Sequence, residues 1–340
     1  MNLRSIRFMV EYALARLALG VIPRLPRPIV VRMANGLGSI AARCLRAERR
    51  VARANLDLVF GNSKSAGEKD VIIRRSFQTF ALTLLDLFWF ARNTDNRVRE
   101  WVSFDKAFER AFFPGAQVCV TAHMGSWEMH GLAFAMRGYP LTCVAATLAN
   151  RRLDGLFLNL RKRTGQHILA KQGAIRGLLR TLKDGGKIAV VMDQNTKPSD
   201  GGIFVNFFGL PVPVTTTPAA LSIRVGAEVL IGVCIADERG RYHVPAPSGI
   251  KVMPEMDEST LTATMTGEME ALVRAHPEHW LWMYKRWKYI APWRAAEEYP
   301  FYAKQISQKD RAAILNAQRN TRTLGILPAS KKEPRHGADS

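Results

Sequence analysis

Apolar residues near the amino terminus recur at helical spacing. Ile6, Met9, Val10, Ala13, Leu14, Leu17 and Val21 share one face, and Pro23 and Pro26 end the run. The same period predicts helices over Pro28–Leu45, Arg46–Phe60 and Lys69–Ala91. From about residue 115 the pattern changes to short apolar runs separated by helical stretches. Ala116–Ala122, Leu141–Thr147, His167–Ala170, Lys187–Met192 and Ala227–Ala236 read as strands. Between them, helices are expected after Gly125 up to Arg137, over Leu153–Thr164 and over Ala174–Lys183, the last closed by Gly185 and Gly186. Strands alternating with helices predict an α/β fold whose central sheet is mostly parallel and flanked by helices. After Asp257 the chain returns to helix, through the tryptophan-rich stretch His279–Tyr289. From Ala303 a basic tail is expected to fray, losing its apolar order after Pro328. The pattern thus divides the chain into an amino-terminal amphipathic helix (1–27), one main domain (28–302) and a basic tail (303–340).

Composition adds one anomaly. The 340 residues are 47% hydrophobic, enough for a large core, yet 49 Lys and Arg face 29 Asp and Glu, a net charge of +20. A polyanionic partner is implied, either nucleic acid or an anionic lipid surface. Eleven arginines against two glutamates fall in the first 53 residues, interleaved with Leu, Val and Ile rather than with stacking aromatics. No zinc-finger spacing, RNA-recognition motif or basic zipper is present, which favours lipid. The run Phe8–Ile22 is short, and Glu11 and Arg16 interrupt it, so it reads as an Arg-flanked helix lying in a membrane interface. An ordinary core-facing helix and a single tilted span are the alternatives. A removable signal peptide is not expected, since no small-residue cleavage site follows a proper apolar region.

Cys44, Cys119, Cys143 and Cys234 form no CxxC pair, and three of them sit in apolar runs. They read as small buried hydrophobes in a reducing compartment, with no structural zinc site. Gly36, Gly38 and Ala41 match GxGxxA, but they lie in a helical pattern with no preceding strand. Small residues for helix packing are the better reading.

The sharpest chemical feature is Val118-Cys-Val-Thr-Ala-His123-Met-Gly125-Ser126-Trp-Glu128. A buried strand delivers a histidine at its carboxyl end, where open α/β sheets bind ligands. Gly125 turns the chain, Ser126 caps a helix, and Glu128 falls in its first turn. This spacing is expected to return the Glu128 carboxylate to the His123 imidazole, fixing its tautomer for general base catalysis. A structural histidine bonded to a nearby acid is the plainer alternative. No GxSxG nucleophile elbow is present, so the attacking hydroxyl need not belong to the protein, and a His–carboxylate pair suits transfer to a substrate hydroxyl. His130 reads as packing or surface. A metal set of His123, Glu128, His130 and Asp193 matches no common hydrolase spacing, and no metal is expected.

The block His123-Met-Gly-Ser-Trp-Glu128 resembles the His-x4-Asp/Glu motif of glycerolipid and lysophospholipid acyltransferases. In its Glu form, with Gly and Trp inside, it is similar to the bacterial lipid A late acyltransferases of the lauroyl and myristoyl type. Further blocks follow that family in order over roughly residues 10 to 290. They are Arg53-Ala-Asn55 to Phe60; Leu153-Asp154 with Arg161-Lys-Arg163-Thr-Gly165; and Leu182-Lys-Asp-Gly185 with Val191-Met-Asp193-Gln194. Then come Val205-Asn-Phe207-Phe208-Gly209 with Thr215–Thr217, and Pro277-Glu278-His-Trp280-Leu-Trp282 with Lys285-Arg286-Trp287-Lys288. Two positions depart from the family. Ala145-Ala146 stands where a Tyr-Arg pair is common, and Tyr284-Lys285-Arg286 where His-Arg-Arg is usual.

The resemblance implies acyl transfer from an acyl thioester, on acyl carrier protein or CoA, to a hydroxyl of a membrane glycolipid, with no other cofactor. A lipid A precursor is the leading acceptor, and a mannosylated phosphatidylinositol the second. It implies His123 as the base, oriented by Glu128, with oxyanion donors from backbone N–H groups near Gly125 or from a basic side chain. Arg161 and Arg163 are the expected phosphate contacts. Asp193 would line the site or serve structure, and Phe207 would wall an acyl channel. Arg286 would meet phosphate or solvent, and Trp280, Trp282 and Trp287 would fill the core. The expected setting is the cytoplasmic face of a bacterial inner membrane, on anionic lipid, with acyl carrier protein as partner. A metal-assisted phosphoesterase using His123 and Asp193, and a non-catalytic basic binding module, are the rivals.

Overall fold

A computed structural model describes residues 3–323, apart from 109–113, 146, 164, 171–172 and 254. The amino-terminal third is helical: α1 (Leu3–Val21), α2 (Arg27–Cys44), α3 (Arg46–Phe60), α4 (Ala66–Trp89) and α5 (Thr94–Trp101). A reciprocal capping box starts α4, with the Ser65 hydroxyl accepting from the Glu68 N–H and Glu68 accepting from the Ser65 N–H. The Gly36–Gly38 motif lies inside α2, where a Cβ on Gly38 would stand 2.5 Å from the backbone of Gln78. Its small residue lets α2 and α4 touch, as expected, and it opens no nucleotide loop.

The α/β part follows as β1 (Val102–Phe104), β2 (Gln117–Thr121), α6 (Trp127–Met136), β3 (Leu141–Ala145), α7 (Arg151–Arg163) and β4 (His167–Ala170). Next come α8 (Ala174–Lys183), β5 (Lys187–Val191), the hairpin β6 (Gly202–Phe207) and β7 (Leu210–Thr215), and α9 (Thr217–Val225). After these lie β8 (Glu228–Ile231), β9 (Ile235–Ala236), β10 (Tyr242–Val244), β11 (Ser248–Ile250), α10 (Glu258–Ala275), β12 (Tyr289–Ile290), β13 (Lys304–Gln305) and α11 (Gln308–Thr323). The central sheet runs β11-β8-β2-β5-β3-β4, parallel except at β11, so the expected mixed α/β fold with a mostly parallel sheet is present. Sequential strands do not pair at its centre: β2 lies between β8 and β5, and Thr121 pairs with Val191.

Alternation along the strands separates two cores. Val118, Val120, Ile188, Val229 and Ile231 face one, with Trp280, Trp282 and Trp287. Cys119, Leu141 and Leu230 face the other, with Phe108 and Phe134. Each strand side chain leaves water on a wholly buried surface, worth roughly 1.5–3 kcal/mol for a Val, Leu or Ile.

Three expectations need correction. Residues 280–288 are irregular, because Trp280, Trp282 and Trp287 all bury their rings from a chain that turns back on itself rather than spiralling. The run Ala227–Ala236 divides into β8 and β9, which belong to different sheets. Within the tail expected to fray from Ala303, Gln308–Thr323 is helical, with Asp310 buried and accepting from the Ser199 and Ser307 N–H groups. Residues 324–340 lie outside the described residues.

The amphipathic helix α1 forms, and its apolar stripe is turned outward rather than toward the core. Ile6, Met9, Val10, Leu14, Leu17 and Val21 are exposed, and so are Ile29, Met33, Leu37 and Ile40 of α2. Among the described residues no helix is long and apolar enough to cross a membrane.

Candidate active site

His123 stands two residues past the end of β2, in the segment that leads to α6. Its ring is 19% exposed and packs edge-on against Trp127, with centroids 4.7 Å apart. The Nδ1 atom is 2.7 Å from Asp193 Oδ1, and the His123 backbone N–H donates to Asp193 Oδ2 at 2.9 Å. A third donor, Trp280 Nε1, reaches the same Oδ2 at 2.9 Å. An ionised carboxylate only accepts, so the ring proton sits on Nδ1 and Nε2 keeps its lone pair.

Electrostatics follow from this cage. Burial works to raise the Asp193 pKa, but the His123 charge and the three hydrogen bonds outweigh it and hold the carboxyl below its usual range. Burial pulls His123 down, while Asp193, and Glu128 more weakly, carry it above the ordinary imidazole value. The pair is therefore an imidazole braced by a buried anion.

This corrects the expected role of Glu128. It does not touch His123; Arg161, on α7, holds it at two points, with Nε–Oε2 at 3.0 Å and Nη2–Oε1 at 2.5 Å. The helix α6 begins at Trp127, with Ser126 Oγ accepting from the Met129 N–H at 3.2 Å, and carries Glu128 away from the imidazole toward α7. Arg161 is correspondingly held by Glu128. Arg163 ends α7, and its side chain lies outside the described residues.

Gly125 has φ +56°, and a Cβ there would stand 2.1 Å from the Cys234 carbonyl oxygen. Its N–H donates to His279 O, and the Ser126 N–H to Cys234 O, both at 2.8 Å. These amides are spent on structure, so neither serves as the expected oxyanion donor. The polar side chain beside Nε2 is Gln194, whose exposed amide nitrogen lies 3.5 Å away. Sequence reasoning included Gln194 only as part of the Val191–Gln194 block and gave it no role, although its place next to Asp193 after a parallel strand was a usable signal.

The other expected site residues, Phe207 and Arg286, are buried rather than exposed beside the His123 imidazole. Phe207 is buried and stacked on Trp287 at 5.8 Å and 26°. Phe208 and Gly209 both take positive φ, at 53° and 81°, as the two-residue turn between β6 and β7 requires. Arg286 is buried at 1% exposure rather than solvent-facing. Burial pushes its guanidinium down to about 10, against the pull of Asp193.

His130 turns into the core, edge-on to Phe134, and burial alone pushes it down to about 4. The tetrad His123, Glu128, His130 and Asp193 therefore does not assemble, and no other group of three or more metal-binding side chains occurs among the described residues.

Comparison with known proteins gives the chain a family and relatives. The family described as "Bacterial lipid A biosynthesis acyltransferase" matches residues 3–289. The chain is 25% identical, over 82% of its own length and 92% of the relative's, to a lipid A biosynthesis palmitoleoyltransferase of Escherichia coli (strain K12). To a lipid A biosynthesis lauroyltransferase of the same organism it is 23% identical, with the same coverage. A phosphatidylinositol mannoside acyltransferase of Mycolicibacterium smegmatis is 25% identical over 78% of this chain and 88% of that protein.

Proposed function

The chain belongs to the bacterial lipid A biosynthesis acyltransferase family, and from that premise we propose that it moves a fatty-acyl chain from a thioester to a hydroxyl of a lipid A precursor. The single observation that carries the mechanism is the 2.7 Å contact between His123 Nδ1 and the buried Asp193 carboxylate. With its proton fixed on Nδ1, the imidazole offers Nε2 to the acceptor. Nε2 takes the hydroxyl proton as the oxygen attacks the thioester carbonyl. The tetrahedral intermediate collapses, the C–S bond breaks, and the leaving sulfur receives that proton from Nε2. General base catalysis of this kind is worth on the order of 10²–10⁴-fold. The Gln194 amide is the donor placed to meet the oxyanion, and the Glu128–Arg161 pair is a fixed support beside the base.

The thioester is carried by acyl carrier protein or CoA and acts as a co-substrate; no resident cofactor enters this scheme. A chain with net charge +20 suits both an acidic carrier protein and anionic lipid. The outward apolar stripes of α1 and α2, flanked by arginines, support docking on the cytoplasmic face of the bacterial inner membrane as an interfacial platform. Asn150 fastens this platform to the catalytic domain, donating to Phe8 O at 2.8 Å and to Glu11 at 3.1 Å from the turn that leads into α7.

A mannosylated phosphatidylinositol is the second acceptor to weigh, because the mycobacterial relative's 25% identity equals that of the palmitoleoyltransferase. The deciding experiment is a lipid mass spectrum of host membranes lacking the gene, complemented with wild type or His123→Ala. A lipid A species that gains one fatty-acyl mass only with wild type is the expected result. A gain on a phosphatidylinositol mannoside would replace the acceptor. Identical spectra from two folded, expressed proteins would remove acyl transfer.

A further inference from the structure

Beyond the base and its carboxylate, the chain 193–195 is held by a second segment, 280–286, contributed from some ninety residues further along. Asn195 uses its backbone and both ends of its side chain on that segment. Its N–H donates to Tyr284 Oη at 2.9 Å, its Nδ2 to Lys285 O at 2.9 Å, and its Oδ1 accepts from Arg286 Nη1 at 3.1 Å. Arg286 Nη1 also donates to Pro213 O at 3.2 Å, so it ties the same loop to β7. The clamp is itself anchored. Asn55 Nδ2, from α3, donates to Trp282 O and Tyr284 O at 2.8 and 2.9 Å, and Ser76 of α4 donates to Trp280 O.

Arg286 is the unusual member. It is a fully buried cation with no carboxylate within ion-pair distance among the described residues, and its Nε has no acceptor. A core stabilised only by packing would favour an apolar side chain here, because an unpaired buried charge is costly. Among the groups that act on this guanidinium, Asp193 is the strongest opposing charge, ahead of Tyr284 and Tyr302.

We propose that Arg286 is a positioning residue for acyl transfer: through Asn195 it fixes the loop that carries Asp193, and so fixes the imidazole of His123. Arg286 touches no reacting atom. It acts by restricting where the carboxylate can stand, and a misplacement on the order of 1 Å at such a site can cost about 10²-fold. Only the catalytic consequence rests on the reading of His123 as the base; the geometric claim can be read without substrate.

The test uses full-length protein labelled with ¹⁵N in its histidine imidazoles, with His123→Ala supplying the assignment. Wild type is expected to show one neutral tautomer, protonated at Nδ1. Asn195→Ala and Arg286→Met are expected to mix the tautomers. Assayed with an acyl thioester, they should lower kcat by about tenfold to a hundredfold while KM for the thioester stays within about twofold. Arg286→Lys, which keeps the charge without the planar fork, should recover part of the loss. Tyr284→Phe removes a single hydroxyl, and it provides the same readings if Arg286→Met fails to fold. Wild-type imidazole resonances and kcat in Asn195→Ala and Tyr284→Phe, with only a lower Tm, would overturn the proposal. A wild type that transfers no acyl group would sink the functional reading, while the imidazole comparison would still decide this one.

Discussion

His123 and Asp193 occupy equivalent places on neighbouring strands. Thr121 of β2 pairs in parallel with Val191 of β5, and each of the two residues stands two positions beyond its strand. The ladder carries on past the strand ends through the Met192 N–H, which donates to Thr121 O at 2.9 Å. Parallel strands run side by side at roughly 4.8 Å, so residues in register past their ends face one another without any long connection. The sheet itself thus builds the pair.

Replacing Asp193 with Asn should be as damaging as losing the base. The amide can present a donor to Nδ1 and stabilise the wrong tautomer, with kcat lowered on the order of 10³–10⁴-fold and the fold retained. Steady-state rates beside a circular dichroism spectrum check this; a loss of less than tenfold in folded protein would remove Asp193 from its role.

Glu128 belongs to a different interaction, and a double-mutant cycle separates the two. Glu128→Gln and Arg161→Met should couple by roughly 0.5–3 kcal/mol in unfolding free energy, as direct partners do. His123→Ala and Glu128→Gln should add independently. Strong coupling of Glu128 to His123, with none to Arg161, would restore the orienting role expected from sequence spacing.

Acyl transfer should depend on pH through His123. Its pKa stands above the ordinary value of about 6.5, and only the neutral ring accepts a proton, so kcat/KM should rise with pH through a limb above that value. The same shift favours the folded state below about pH 6.5, and this contribution is lost as pH rises through the folded pKa. Asp193 has the opposite sign: its contribution is present above about pH 3.9 and is lost as pH falls through its lowered value. A pH–rate profile whose lower limb lies below pH 6 contradicts this assignment.

Acid should also unfold the protein from inside. His130 and His279 are buried, with pKa pushed down to about 4, so the unfolded chain binds protons that the fold refuses. Stability should fall between about pH 6.5 and pH 4, by about 3 kcal/mol for His130 alone. Denaturant midpoints at pH 7 and pH 4.5 measure it, and His130→Phe should flatten the difference.

Docking on a bilayer should depend on the outward stripe. Leu14 and Leu17 are 61% and 63% exposed, so their replacement by Glu leaves the core alone. Each buried leucine is worth roughly 1.5–3 kcal/mol, and binding to phosphatidylglycerol vesicles should weaken at least tenfold. Unchanged sedimentation with such vesicles would show that this face meets something else.

Much of this protein was legible from residue order. The helical period placed α2, α3 and α8 within a residue or two, and the apolar runs located β2, β3, β4 and β5, because periodicity and burial are local properties of a strand or helix. The same reasoning set His123 at a strand end and offered Asp193, at another, as either site-lining or structural. The hairpin 202–215 was not legible, since Pro211 and Pro213 contradict the usual strand composition, and only its edge pairing accommodates them. Sequence proximity favoured Glu128 as the partner of His123, five residues away, whereas the real partner comes from seventy residues further on. That choice is made by strand order and register, which depend on how the whole sheet assembles. The burial of Arg286 is decided in the same way. A charged side chain reads as solvent-facing from its type alone, and only the packing of distant segments, 193–195 and 207–213, shows that it lies inside.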